Sequence, residues 1–259
     1  MGVLNLTPDS FYENSRMGSD RLLRTTLETM MSEGVDIIDL GAYSTRPGAT
    51  DVSQDEEVKR LKSALSVICK YYPQLLLSVD TFRASTADFV VKHFGVGIIN
   101  DVGGGTLDKL MFQTMADLKV GYVLMHMQGT PATMHTLCDY KNVVTEVLGD
   151  LQKKLHQLHL YGISDVLVDP GFGFAKTCDQ NFELLNQLQV FNNLGVPILV
   201  GFSRKSMIFK TLEITASEAL NGTTVLNTLA LSKGAKILRV HDVKAAREAI
   251  DLYVKMRRS

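Results

Sequence analysis

A closed (β/α)8 barrel, an α/β fold forming one domain over residues 1–259, is the predicted architecture, and three observations predict it. The chain has 259 residues, a length at which a single α/β barrel is usual. It carries eight short apolar runs without alternation, the pattern of strands buried on both faces. Longer stretches with helical spacing lie between them.

The first run, residues 2–6, opens almost at the terminus, which sets the expectation that the chain has been trimmed upstream. Residues 36–41 form the second run, and the stretch 53–71 after it is helical. There Val58, Leu61, Leu65 and Ile68 recur at three- and four-residue steps. Ser53-Gln-Asp-Glu56 has the form of a capping box at its start. Runs three to five occupy 75–80, 96–102 and 121–127, and the next patterned helix spans 142–161. Runs 165–169 and 197–201 precede a helix over 217–232, and the eighth run is 235–240. A doubly wound open sheet is the competitor, but eight near-equal units without a linker or domain break disfavour it.

Composition narrows the function classes. Hydrophobic residues make up 45% and charged residues 21%, as in ordinary globular proteins. Twenty-seven basic residues face 28 acidic ones, so neither nucleic acid nor an anionic membrane is expected as the main partner. Cys69, Cys138 and Cys178 form no CxxC pair and no zinc spacing, which fits a reducing compartment. No run approaches the roughly 18 apolar residues of a membrane span, and Met-Gly-Val-Leu-Asn-Leu-Thr-Pro has no basic leader. A soluble, cytoplasmic protein is the expectation.

Every predicted strand ends in polar residues: Asn5, Asp39, Asp80, Asn100 with Asp101, His126, Asp169, Ser203 to Lys205, and Arg239 with His241. In a barrel these ends converge on the C-terminal face, where such folds place their sites. Strand-terminal Asp and Asn also cap helices and loops, and for any one residue that reading is about as good. For all eight strands it is not sufficient. The loops that follow, Thr7-Pro-Asp-Ser10, Ser44-Thr-Arg-Pro-Gly48, Gly103-Gly-Gly-Thr106 and Gly171-Phe-Gly-Phe174, can present backbone N–H groups to an anion.

Two motifs fail on inspection. Residues 171–177 lack the second glycine of a phosphate loop, since Ala175 stands there. Gly201-Phe-Ser203 lacks the second glycine of a nucleophile elbow, since Lys205 stands there. His126 and His135 have no metal-site spacing, and a structural role suits His126 better. What remains is chemically coherent. Arg46, Arg239, His241 and the Asn5–Ser10 segment are candidate anion contacts. Asp80, Asn100 and Asp169 are acceptors for a flat heterocycle with several N–H donors, and Lys205 adds a donor for its carbonyl or imine nitrogen.

With these residues in view, the chain resembles the dihydropteroate synthase family. The resemblance rests on Met1-Gly-Val-Leu-Asn-Leu-Thr-Pro-Asp-Ser-Phe11, Ser44-Thr-Arg-Pro-Gly-Ala49, Ser78-Val-Asp-Thr81 and Ile99-Asn-Asp101. It continues through Met125-His-Met127, Asp169-Pro-Gly-Phe-Gly-Phe174, Ser203-Arg-Lys-Ser206 and Arg239-Val-His-Asp242, in order from the first residue to the last helix.

The resemblance implies a folate-pathway transferase and sulfonamide target. Its members join 6-hydroxymethyl-7,8-dihydropterin pyrophosphate to p-aminobenzoate, release pyrophosphate with Mg2+ assisting, and usually form homodimers. By the same resemblance, Asp80, Asn100, Asp169 and Lys205 hold the pterin, with Met125 and Phe174 in the substrate-binding set. Arg239 lies against the ring and reaches phosphate, with His241 and Asn5 beside it, and Asn5 is the link to Mg2+. Phe11, Ser44, Thr45, Arg46 and Pro47 belong to loops over pyrophosphate and p-aminobenzoate, whose carboxylate meets Ser206. Asp39, and with it Asp9 and Asp101, is implied to face the reacting methylene. Asp39, Asp80, Lys205, Arg239 and His241 form the implied catalytic set. The chain departs from the family at Ala42-Tyr43, where Gly-Glu is usual, which touches loop closure rather than chemistry. A corrinoid-linked pterin methyltransferase would have no use for the Ser44–Gly48 segment, Arg239 or His241. A non-catalytic pterin-binding relative would be expected to lose Phe11, Arg46 or Lys205, and all three are present.

Overall fold

A computed structural model describes residues 1–6, 16–43 and 52–258 of the chain. Its eight strands are β1 (Gly2–Asn5), β2 (Ile37–Gly41), β3 (Leu76–Asp80), β4 (Ile98–Asp101), β5 (Gly121–Met125), β6 (Val166–Asp169), β7 (Ile198–Val200) and β8 (Ala235–Leu238). They form one parallel sheet in chain order. The sheet closes on itself where Val3 N–H donates to Val240 O at 2.9 Å and Val240 N–H to Met1 O at 3.0 Å. Closure removes both sheet edges and makes the predicted barrel.

The helices are α1 (Arg16–Ser32), α2 (Gln54–Tyr71), α3 (Ala84–Phe94), α4 (Met111–Leu118), α5 (Val143–Leu160), α6 (Cys178–Asn186), α7 (Ser206–Phe209), α8 (Leu220–Ser232) and α9 (Val243–Arg258). In α2 the predicted stripe lies inward, with Leu61, Leu65 and Ile68 fully buried. Ser53 caps that helix by accepting from Glu56 N–H, a contact worth about 1 kcal/mol. The reciprocal half of the predicted box is missing, because the Glu56 carboxylate pairs with Lys59 and Arg60 instead. A complete capping box stands where the sequence reading found only a failed phosphate loop: Thr177 and Gln180 at the start of α6. The helix expected over 217–232 is interrupted, a short 3-10 turn (Ala216–Glu218) preceding α8. Among the described residues no helix is long and apolar enough to cross a membrane.

Alternation along the strands divides the core in two. One face packs on the helices through residues such as Leu40, Val79, Tyr122 and Val168. The other fills the barrel, where Ile37, Ile98, Val123, Leu167, Leu199 and Ile237 form a separate layer. Such a barrel is plugged rather than porous, so chemistry is confined to its mouth. At that mouth a third apolar cluster joins Val102, Met125, Met127, Met134 and Ala175, with Phe82, Leu107 and Phe174 against it.

Candidate active site

Parallel pairing in register brings the C-terminal ends of all eight strands to one face. There Asn5, Asp80, Asn100, Met125 and Asp169 stand at or next to the ends of β1 and β3 to β6, Asp39 lies two residues before the end of β2, and Lys205, Ser206, Arg239 and His241 follow β7 and β8. Phe11, Ser44, Thr45, Arg46, Pro47 and Asp9 lie outside the described residues.

Arg239 organises one half of the mouth. Its Nε donates to Asp39 Oδ2 and one terminal nitrogen donates to Asp80 Oδ2, both at 2.7 Å. Burial alone would lower its pKa, but Asp39 and Asp80 hold it above that of free arginine. A planar fork can bridge two carboxylates where a point-like ammonium cannot. Burial pushes the Asp80 carboxyl up to about 7, against the pull of Arg239 and with Asp39 adding to the rise.

Two of the carboxylates that the resemblance implies lie deep beneath the mouth. Asp39 is fully enclosed: Oδ1 accepts from Ser78 at 2.6 Å, and Oδ2 from Asn100 at 3.1 Å as well as from Arg239. Both of its oxygens meet protein donors, so it anchors Arg239 and Asn100 from beneath. Asp101 is likewise buried and accepts from Gly103 N–H and Gly105 N–H at 2.7 Å and from Tyr122 O–H at 2.6 Å. It ties down the glycine loop after β4. That loop needs glycine at 104, where φ is +53° and a Cβ would collide with the Met125 carbonyl oxygen.

The other half of the mouth is built by the loop after β6. Asp169 is 6% exposed, and its Oδ1 accepts from Gly171 N–H at 2.8 Å. Burial raises its pKa, opposed chiefly by Lys205. Lys205 Nζ donates to Phe172 O at 2.5 Å and sits 4.9 Å from the Phe174 ring. Burial lowers its pKa to about 8, with Asp169 the largest opposing influence. An acceptor, a donor and an aromatic face therefore converge beside the apolar cluster around Met125. This is a cradle for a flat ring with polar edges.

Near β8, His241 Nδ1 lies 3.0 Å from Ser203 Oγ, which also accepts from His241 N–H at 3.2 Å. Arg204, in the left-handed region at φ +55°, grips Asp242 through two bonds of 3.0 and 2.8 Å. The pair joins the loops after β7 and β8, so Lys205 and His241 are held relative to each other. Asn5 ends β1 with its amide oxygen near Gly41 of β2.

Sequence reasoning missed the layer beneath these residues. Ser78 and Lys176 belong to that layer. Ser78 lies two residues before Asp80 and Lys176 seven after Asp169, offsets that carry no chemical signal by themselves. Tyr43, which departs from the family pattern, packs edge-on against Phe82 at 5.2 Å, with the Arg83 guanidinium 5.5 Å from its ring.

Residues 1–241 match the family model described as pterin binding enzyme. The chain is 39% identical to Bacillus subtilis dihydropteroate synthase over 247 residues, covering 94% of this chain and 83% of that protein. It is 39% identical to the folic acid synthesis protein fol1 of Pneumocystis carinii and 38% to the folate synthesis bifunctional protein of Arabidopsis thaliana. The chain spans only 34% and 54% of the length of those two. Two Thermus thermophilus dihydropteroate synthase structures, in complex with 4-aminobenzoate and with 6HMPPP, superpose with TM-scores of 0.87 and 0.84. They are 37% and 34% identical to this chain, each covers 99% of it, and it covers 93% of each. With strand-end chemistry, fold and sequence in agreement over nearly its whole length, the chain belongs to the pterin-binding enzyme family that includes the dihydropteroate synthases.

Proposed function

We propose that this chain catalyses the dihydropteroate synthase reaction. It would transfer the dihydropterinyl-methyl group from 6-hydroxymethyl-7,8-dihydropterin pyrophosphate to the amine of p-aminobenzoate. The observation that carries this reading is the pairing of two unlike half-sites at one barrel mouth. Asp169, Lys205 and Phe174 suit a polar-edged ring, while Arg239 and His241 suit an anion.

Asp169 accepts from adjacent ring and amino N–H groups, and Asp80 and Asn100 serve the ring's other polar edge. Lys205 donates to a ring acceptor while Phe174 packs alongside. The methylene C–O bond breaks with its electron pair leaving on pyrophosphate, whose charge Arg239 and His241 offset. The aniline nitrogen attacks the electron-poor methylene, forms the new C–N bond and releases a proton. No enzyme nucleophile is needed. Phe11, Ser44, Thr45, Arg46 and Pro47 are assigned to pyrophosphate and p-aminobenzoate, and Ser206, at the start of α7, to the p-aminobenzoate carboxylate.

Mg2+ would supply further charge neutralisation on the leaving pyrophosphate, and Asn5 is the residue that would hold it. Among the described residues no group of three His, Cys, Asp or Glu could hold a metal, so the donor set suits an ion that arrives with the phosphates. A homodimer is part of the proposal, formed through α8, where Leu220, Val225 and Leu229 are 40%, 49% and 44% exposed. Incubating the protein with the pterin pyrophosphate, Mg2+ and p-aminobenzoate should release pyrophosphate and form dihydropteroate. No turnover with intact, folded protein refutes the assignment.

A further inference from the structure

Beneath the loop after β6 lies a buried lysine that the chemistry above does not use. Lys176 is 8% exposed. Its Nζ donates to Gly171 O at 2.9 Å and Phe174 O at 3.0 Å, and lies 3.1 Å from His126 Nδ1. Burial lowers its pKa to about 7, with Asp169 pulling the other way, so it is an ammonium on the acid side of that value, and the geometry then offers one acceptor for each of its three hydrogens. His126 is itself buried at the end of β5. Burial drives its pKa down to about 2, and the charges of Lys176 and Lys154 push the same way. The imidazole is therefore neutral, with Nδ1 as acceptor and the proton on Nε2.

The segment that Lys176 holds does not take its shape from local preference. Gly171, Gly173 and Ala175 have φ of +73°, +79° and +48°, so left-handed residues alternate with ordinary ones. At 171 only glycine fits, because a Cβ would collide with the His126 carbonyl oxygen. Ala175 pays no such clash but lacks glycine's freedom, a cost of roughly 1–2 kcal/mol that surrounding contacts must offset. Three features of the ring cradle hang on this loop: the Gly171 N–H on Asp169, the Phe172 carbonyl on Lys205, and the Phe174 ring beside Lys205.

We propose that Lys176, received by neutral His126, is a positioning residue for the pterin half of the site. It holds the 171–174 loop from behind so that Asp169, Lys205 and Phe174 converge on one ring. The inference rests on the pterin reading of that cradle. Burying an ammonium is expensive, and a purely apolar plug could fill the same volume. The loop turns the Gly171 and Phe174 carbonyls inward, and a donor with three arms meets both of them and His126.

Lys176→Met keeps the approximate length and removes all three donors. We expect it to weaken 6-hydroxymethyl-7,8-dihydropterin binding by at least about tenfold, measured by calorimetry, and to raise KM for the pterin substrate. Affinity for inorganic pyrophosphate with Mg2+ should stay within about twofold of the parent. His126→Asn places an amide oxygen close to the position of Nδ1 and should retain pterin binding, while His126→Leu should lose it as Lys176→Met does. The His126 pair stands alone as a test if Lys176→Met does not fold. Parent-like pterin affinity in Lys176→Met and His126→Leu overturns the inference. So does equal loss of pterin and pyrophosphate binding, which marks a purely structural role, or His126→Asn failing along with His126→Leu. If the parent itself binds no pterin, the functional reading falls, and this inference with it.

Discussion

Asp169→Asn separates binding from loop capping within one residue. In the parent, Oδ1 already accepts from Gly171 N–H at 2.8 Å, while the rest of the carboxylate is available to a ligand. Asparagine has nearly the same volume, so the barrel should still fold. Gly171 N–H is a donor, so the new amide must turn its oxygen towards Gly171 and its NH2 towards the ring. Two ring donors then meet a donor in a site that is 6% exposed.

Leaving buried polar groups unpaired costs about 1–3 kcal/mol, and a lost charge-assisted bond about 1.5–3 kcal/mol. Since about 1.4 kcal/mol is a factor of ten, the smaller sum of these costs already lowers pterin affinity more than tenfold, and the larger sum lowers it roughly ten-thousandfold. The substitution also removes the influence that most raises the Lys205 pKa, so that lysine should ionise less readily. Calorimetry with the unphosphorylated dihydropterin and a thermal melt on the same preparation decide the matter. Unchanged affinity at an unchanged melting temperature refutes the assignment. A lower melting temperature with normal affinity would make Asp169 a loop cap only.

Three further outcomes are expected. Gly171→Ala should destabilise the fold by at least about 2 kcal/mol and weaken pterin binding, since it combines a left-handed φ with a backbone collision; parent-like denaturant unfolding would contradict the loop geometry. Arg239→Lys should lower turnover by at least about tenfold, because one ammonium cannot bridge Asp39 and Asp80; steady-state rates near those of the parent would remove the bridge from the chemistry. Asp80→Asn should melt above the parent at about pH 8, with the gap closing towards about pH 4. The sign follows from burial: the folded-state pKa rises from 3.8 to about 7, so the folded chain binds more protons between those values and loses stability as pH rises. Melts showing the same gap at every pH would disprove this.

The sequence alone determined the barrel and the ring of polar residues at its mouth, because both follow from strictly local rules. Strands buried on both faces cannot alternate, so Ile37–Gly41 or Gly121–Met125 announce themselves as continuous apolar runs. A polar residue at the end of such a run must lie at the barrel's C-terminal face, which is how Asp80, Asn100 and Asp169 could be grouped without coordinates. Which of these carboxylates is free to meet a ligand was decided only by tertiary structure. Asp101 ends its strand just as Asp80 and Asp169 do, and Asp39 lies two residues before the end of β2; Ser78, Asn100 and Arg239 surround Asp39, and loop amides with Tyr122 surround Asp101. The partners come from other strands, up to 200 residues away, and a hydrogen bond leaves no periodic trace in sequence. The buried Lys176–His126 contact was hidden for the same reason: 50 residues separate the two, and only the closeness of the β5 and β6 ends brings them together.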